Sequence, residues 1–117
     1  MARMTDKDYN SIVIFDDEGD MTVAKSFRAG VSNPMEQHSL RNMVKRYNDL
    51  TMDARVLYPY VYDPESFDAK NYAHDVRRYT DVTTERVQLE KAIHNRIDRL
   101  GHLMGLWDSP RDVMDFS

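Results

Sequence analysis

The chain has 117 residues, of which 31% are charged and 41% apolar, with a formal net charge of −4 and no cysteine. This length suits a single domain with a modest core, and the apolar share with seven tyrosines is too high for a solvated coil. The acidic balance argues against general nucleic-acid binding, the missing cysteines exclude disulfides and thiol chemistry, and no run approaches the roughly 18 apolar residues of a membrane span.

No signal peptide is visible, so a soluble cytoplasmic protein is expected. The mean hydropathy of −0.70 is low for a compact enzyme of this size. It suggests that a partner completes part of the apolar surface.

Residues 1–10 are polar and read as loose. Ser11-Ile12-Val13-Ile14-Phe15 is a strand-prone run, and Asp16-Asp17-Glu18-Gly19-Asp20 reads as a turn with Gly19 free to take φ > 0. Met21 to Phe27 alternates in part, so the two runs predict a β-hairpin. A lone hairpin is marginal in water and needs a helix or a partner to pack on. Ala29 to Ser32 is a connector.

Asn33-Pro34-Met35-Glu36 carries strong helix-start chemistry: a capping side chain, a proline suited to the first position and a carboxylate three residues past the cap. The helix that follows is expected to end near Asp49, with Leu40, Met43, Val44 and Tyr47 on one face. A second short helix is expected from Thr51 to just before Pro59. Tyr58-Pro59-Tyr60-Val61-Tyr62 then reads as an extended aromatic linker. Asp63-Pro64-Glu65 repeats the cap-then-proline signal and predicts a helix over 64–79. Thr83 or Thr84 is expected to cap the last helix. Leu89, Ile93, Ile97, Leu100, Met104 and Trp107 recur there at spacings of three and four, as a packing seam does. Ser109 to Ser117 forms a tail with Val113, Met114 and Phe116. The fold class expected is mainly α: three to four amphipathic helices with an N-terminal β-hairpin, divided as 1–32, a helical domain over 33–107, and a tail over 108–117.

Chemistry-bearing constellations are few. His94, Asp98 and His102 sit at i, i+4 and i+8, a span of about 12 Å that one ion does not bridge; a solvated face is the better reading. Asp6, Asp8, Asn10 and Asp17 imitate part of a calcium loop, but Ser11 stands where the glycine belongs. The acidic run at 16–20 reads as a solvated turn. No nucleophile motif or phosphate loop is present, so no enzyme, cofactor or metal site is expected. The aromatic set Tyr58, Tyr60, Tyr62, Phe67, Tyr72 and Tyr79 has three readings: core packing, protein-interface anchors, or, with Arg55, Lys70, Arg77 and Arg78, stacking of single-stranded nucleic acid.

Three segments together resemble the internal scaffolding proteins of gokushovirus-type small single-stranded DNA phages (Microviridae). They are Ser32 to Tyr47, ending in Asn-Met-Val-Lys-Arg-Tyr; Tyr79-Thr80-Asp81-Val82-Thr83, followed by a helix; and Trp107 to Phe116. The resemblance implies a protein that binds coat subunits from inside and leaves before maturation. Trp107, Met114 and Phe116 would then be coat-contacting anchors, with Tyr60 and Tyr62 as further contact residues. The alternative is a small helical adaptor acting on another protein. Self-association fits the first reading.

Overall fold

The computed structural model describes residues 2–108. Four helices and one two-stranded hairpin follow in the order α1 (Asp6–Ile12), β1 (Val13–Phe15), β2 (Met21–Val23), α2 (Lys25–Gly30), α3 (Pro34–Tyr62) and α4 (Tyr72–Leu103). The expected class, mainly α with an N-terminal hairpin, is the observed one.

The first correction is α1, where a loose segment and the start of a strand were expected. Thr5 Oγ1 accepts from the Asp8 amide at 3.1 Å, and Asp8 Oδ2 accepts from the Thr5 amide at 2.9 Å. This reciprocal capping satisfies two amides that a helix start leaves open. The backbone and side-chain hydrogen bonds from Thr5 hold the Asp8 carboxyl below its ordinary value. Tyr9 and Ile12 face inward from this single short helix.

β1 and β2 pair antiparallel, with Val13 opposite Val23 and Phe15 opposite Met21. Their turn is organised by Asp16, whose Oδ1 accepts from the amides of Glu18 and Asp20, both at 2.9 Å. Gly19 supplies the φ of +87° that the turn requires. Val13, Met21 and Val23 are buried, while Ile14 and Thr22 face out. The strand was expected to continue to Phe27, but it ends at Val23. Continued extension would place Lys25 on the same face as buried Val23 and Phe27. Turning into α2 leaves Lys25 in solvent and keeps Phe27 buried.

α3 begins as expected: Asn33 Oδ1 accepts from the Met35 amide at 2.8 Å and Pro34 occupies the first turn. It then runs unbroken to Tyr62, where a break near Asp49 and an extended linker at 58–62 were expected. Pro59 lies inside it, its carbonyl still accepting from the Asp63 amide at 2.8 Å. The cost of proline in a helix is offset by packing on α4, against which Leu50, Ala54 and Leu57 are buried.

α4 is likewise one helix where two were expected. Asp63-Pro64-Glu65 caps a turn rather than a helix: Asp63 Oδ1 accepts from the Glu65 amide at 3.0 Å. Asp68 does the same for Lys70 at 3.1 Å, and α4 starts only at Tyr72. Thr83 caps nothing; its hydroxyl donates back to the carbonyl of Tyr79 or Thr80 inside the helix.

α3 and α4 form an antiparallel pair, about 43 and 48 Å long at 1.5 Å per residue, which sets the 55 Å long axis. Charged pairs bind the two helices along their length. Glu36 at the start of α3 receives Arg96 and Arg99 near the end of α4, at 3.0 and 3.1 Å. Arg46 meets Glu85 at 2.9 Å and holds that carboxyl below its ordinary value. The core lies at one end of this pair, where α1, the hairpin and α2 cover Leu40, Tyr47, Ile93, Ile97 and Leu100.

Candidate functional site: an exposed helical arm

The far end of the α3–α4 pair projects beyond the core. The hairpin turn reaches as far as Arg55, whose guanidinium lies 3.7 Å from Glu18 and 4.0 Å from Asp20. Past that level the aromatic contacts run between α3, α4 and their loop. Tyr58 and Tyr62 pack with ring centroids 4.7 Å apart, and Tyr79 meets Tyr62 edge-on at 5.6 Å. Burial, with Tyr62 and Tyr58 alongside, pushes the Tyr79 hydroxyl above its ordinary value. Phe67 and Tyr72 pack at 5.0 Å across the loop.

The outward face of α3 carries an apolar ridge here. Met52, Val56 and Tyr60 are spaced four residues apart and are 53%, 58% and 45% exposed. Met52 and Val56 lie away from Leu50, Ala54 and Leu57, which α3 buries, and Tyr60 flanks that buried face. Tyr62, Phe67 and Tyr72 form a separate exposed group at the tip. Single exposed apolar residues are ordinary; Met52, Val56 and Tyr60 stand one helical turn apart on one side of α3.

Of the residues singled out from sequence, Tyr60 and Tyr62 fall on this arm, in the last helical turn rather than on an extended linker. Trp107 does not: it is 4% exposed. Its Nε1–H donates to the Asp98 carbonyl at 2.8 Å, and its ring fills the space above Gly101. The reversal after α4 drives this placement. Gly105 adopts φ +80° and the Leu106 amide returns to the Gly101 carbonyl at 2.9 Å, folding Trp107 back onto its own helix. Trp107 is therefore a core residue, corrected from a partner-facing anchor. Met114 and Phe116 lie outside the described residues.

Met52 and Val56 were missed. Their four-residue spacing with Tyr60 is plain in the sequence, but the expected stop before Pro59 divided the ridge between a short helix and an extended linker.

The other constellations resolve locally. His94 packs on the Tyr9 ring at 4.4 Å and His102 Nδ1 lies 3.0 Å from the Trp107 carbonyl, so each serves a separate contact. Asp8 is occupied in capping α1. Among the described residues no group of three or more His, Cys, Asp or Glu is placed to hold a metal. Arg55 is engaged by acids, and Arg86 lies over the Tyr47 ring at 5.2 Å with Nη2 3.3 Å from its hydroxyl. Tyr58, Tyr62 and Tyr79 pack on one another. No described helix is long and apolar enough to cross a membrane.

The chain matches no family model, no curated protein and no solved structure.

Proposed function

We propose that this chain is a non-enzymatic assembly protein, an internal scaffold that binds coat subunits through the distal arm of its helix pair. The observation that carries the reading is the outward ridge Met52, Val56 and Tyr60, together with a second exposed group, Tyr62, Phe67 and Tyr72, at the tip of a projecting arm. A scaffold must bind and then leave. A few aromatic anchors on a narrow arm suit a reversible interface better than a large dry one does. Coat protein is named as the partner on the resemblance of the segments at 32–47, 79–83 and 107–116. A scaffold of this kind works in the cytoplasm of its host cell.

The test is sedimentation velocity over a concentration series, with and without coat protein, for the native chain and for Val56→Glu. Reversible oligomers, and co-sedimentation with coat shells that Val56→Glu abolishes without loss of helicity, are expected. A strict monomer that ignores coat protein overturns the reading. A monomer that forms a one-to-one complex with some other protein through Val56 would make it an adaptor.

A further inference from the structure

A hollow of about 300 Å³ opens between the hairpin turn, α3 and α4, at the level where the arm leaves the core. Glu18 lines it from the turn, Arg55, Tyr58 and Pro59 from α3, and Tyr79 and Arg86 from α4. The volume stands at the lower end of the roughly 300–1,000 Å³ typical of small-molecule sites.

Arg86 sets this hollow apart. Arg46, Arg96 and Arg99 each meet a carboxylate at 3.1 Å or less. Arg86 meets none among the described residues. Its guanidinium lies over the Tyr47 ring at 5.2 Å, and Nη2 reaches the Tyr47 hydroxyl at 3.3 Å. Tyr47 is itself buried, so the stack fixes the direction of the fork while Nε and Nη1 keep their N–H groups for an acceptor. Gly19 keeps the approach open, because a Cβ there would stand 3.7 Å from Nη2. Arg55 brings a second guanidinium that is only loosely held. Its Nη2 lies 3.7 Å from the Glu18 carboxylate and 4.0 Å from that of Asp20, both beyond a good hydrogen bond. Two guanidiniums thus face one carboxylate, Glu18, in the lining, and the balance favours an anion.

The donors also choose the anion. One guanidinium comes from α3 and one from α4, with the phenols of Tyr58 and Tyr79 between them. A carboxylate offers two oxygens in one plane. A phosphate monoester offers three in a tetrahedron and can accept from both helices at once. Pro59 and the rings of Tyr58 and Tyr79, with centroids 6.2 Å apart, give an apolar wall for the body that carries it. We propose that this hollow binds a phosphate monoester on a flat apolar body. Arg86 is its principal anion-binding residue, Arg55 the second, and Glu18 the competitor that the phosphate displaces from Arg55. The site needs neither the ridge nor a coat protein, and it stands if the scaffold reading fails.

The test titrates phenyl phosphate into the isotope-labelled full chain at physiological ionic strength. The amide shifts of Gly19, Arg55 and Tyr79 should move to saturation, while those of Thr22 and Leu40 at the core end should not. Inorganic phosphate lacks the apolar body and benzoate lacks the third oxygen, so each should bind at least about threefold more weakly. Arg86→Gln should weaken phenyl phosphate at least about tenfold, and Arg86→Lys, which keeps the charge without the fork, should recover part of the loss. Glu18→Gln should bind about two- to fivefold more tightly, the range of an exposed ion pair released. Glu18 lies exposed in the turn, so this variant keeps the test decisive if Arg86→Gln loses helicity. Native affinity in a folded Arg86→Gln chain overturns the proposal, and so does a Glu18→Gln chain that binds no more tightly. Benzoate binding as well as phenyl phosphate would make this a carboxylate site and overturn it too. Equal shifts at Thr22 and Leu40 would place the probe elsewhere, with the same result.

Discussion

The indole of Trp107 occupies the space that a side chain at Gly101 would need, while its Nε1–H donates to the Asp98 carbonyl three residues earlier in α4. Gly101→Ala must push the ring out or bend the helix, an overpacking cost of about 1–3 kcal/mol. Urea unfolding should show a lowered midpoint. The emission of Trp107, the chain's single tryptophan, should shift to the red. Gly105→Ala is the contrasting variant: nothing lies within 4 Å of the added carbon there, and only the φ of +80° is strained. It should cost about 1–2 kcal/mol and leave the emission closer to native.

Asn48 closes the outer edge of β2 as a neighbouring strand would. Its Oδ1 accepts from the Met21 amide, and its Nδ2 donates to the Met21 carbonyl. Asn48→Ala leaves both groups unpaired beside a side chain that is 2% exposed. The expected loss is about 1–3 kcal/mol, with faster hydrogen exchange at the Met21 amide. Unchanged exchange at Met21 would mean that water replaces the side chain at this edge.

The sequence held the signals that act locally and concealed those settled by packing. Asn33-Pro34 begins a helix as its chemistry requires, and Ile93, Ile97 and Leu100 form a seam because their spacing fits one face. Thr5-x-x-Asp8 was present as a capping pair but passed unread, since Asp8 stands where a longer Glu or Gln is usual. Asp63-Pro64 was read as a helix start although the same side-chain geometry serves a turn equally well. The unity of α3 and α4 was hidden because Pro59, Thr83 and Thr84 are local breakers whose effect two long faces packed together override. The exposed ridge at Met52, Val56 and Tyr60 was lost with it. Trp107 belonged to the expected seam and also to the expected anchors, and only the reversal at Gly105 decides between them.

Tyr9 gives a pH dependence. Its hydroxyl is pushed up from 10.0 to about 12, first by burial and then by Glu90 and Tyr47, and it has no hydrogen-bond partner among the described residues. The folded chain keeps this proton through a range in which the unfolded chain releases it. The contribution is therefore complete below pH 10 and is lost as pH rises from about 10 to about 12, on the order of 2–3 kcal/mol in all. Tyr9→Phe should flatten that part of the stability profile. Because it also removes an unpaired buried hydroxyl, it should be neutral or stabilising by about 1 kcal/mol at pH 7. A native-like fall above pH 10 in Tyr9→Phe would assign the loss to other groups.

Pro59 sits within α3, and its missing N–H leaves the Arg55 carbonyl without its usual helical donor. Pro59→Ala restores a donor and removes the clash of the ring with that carbonyl. The variant should gain up to about 3 kcal/mol, seen as a higher midpoint of thermal unfolding, with a protected amide at 59. The same change tests how the arm presents its ridge, because Tyr60 and Tyr62 follow the proline directly and take their direction from the helix axis beyond it. If the bend that a proline imposes aims these rings at the partner, Pro59→Ala should be more stable and yet weaken coat co-sedimentation. Stability and binding would then move in opposite directions. Equal binding alongside the gain in stability would show that the ridge works from a straight helix and that Pro59 has no part in directing it.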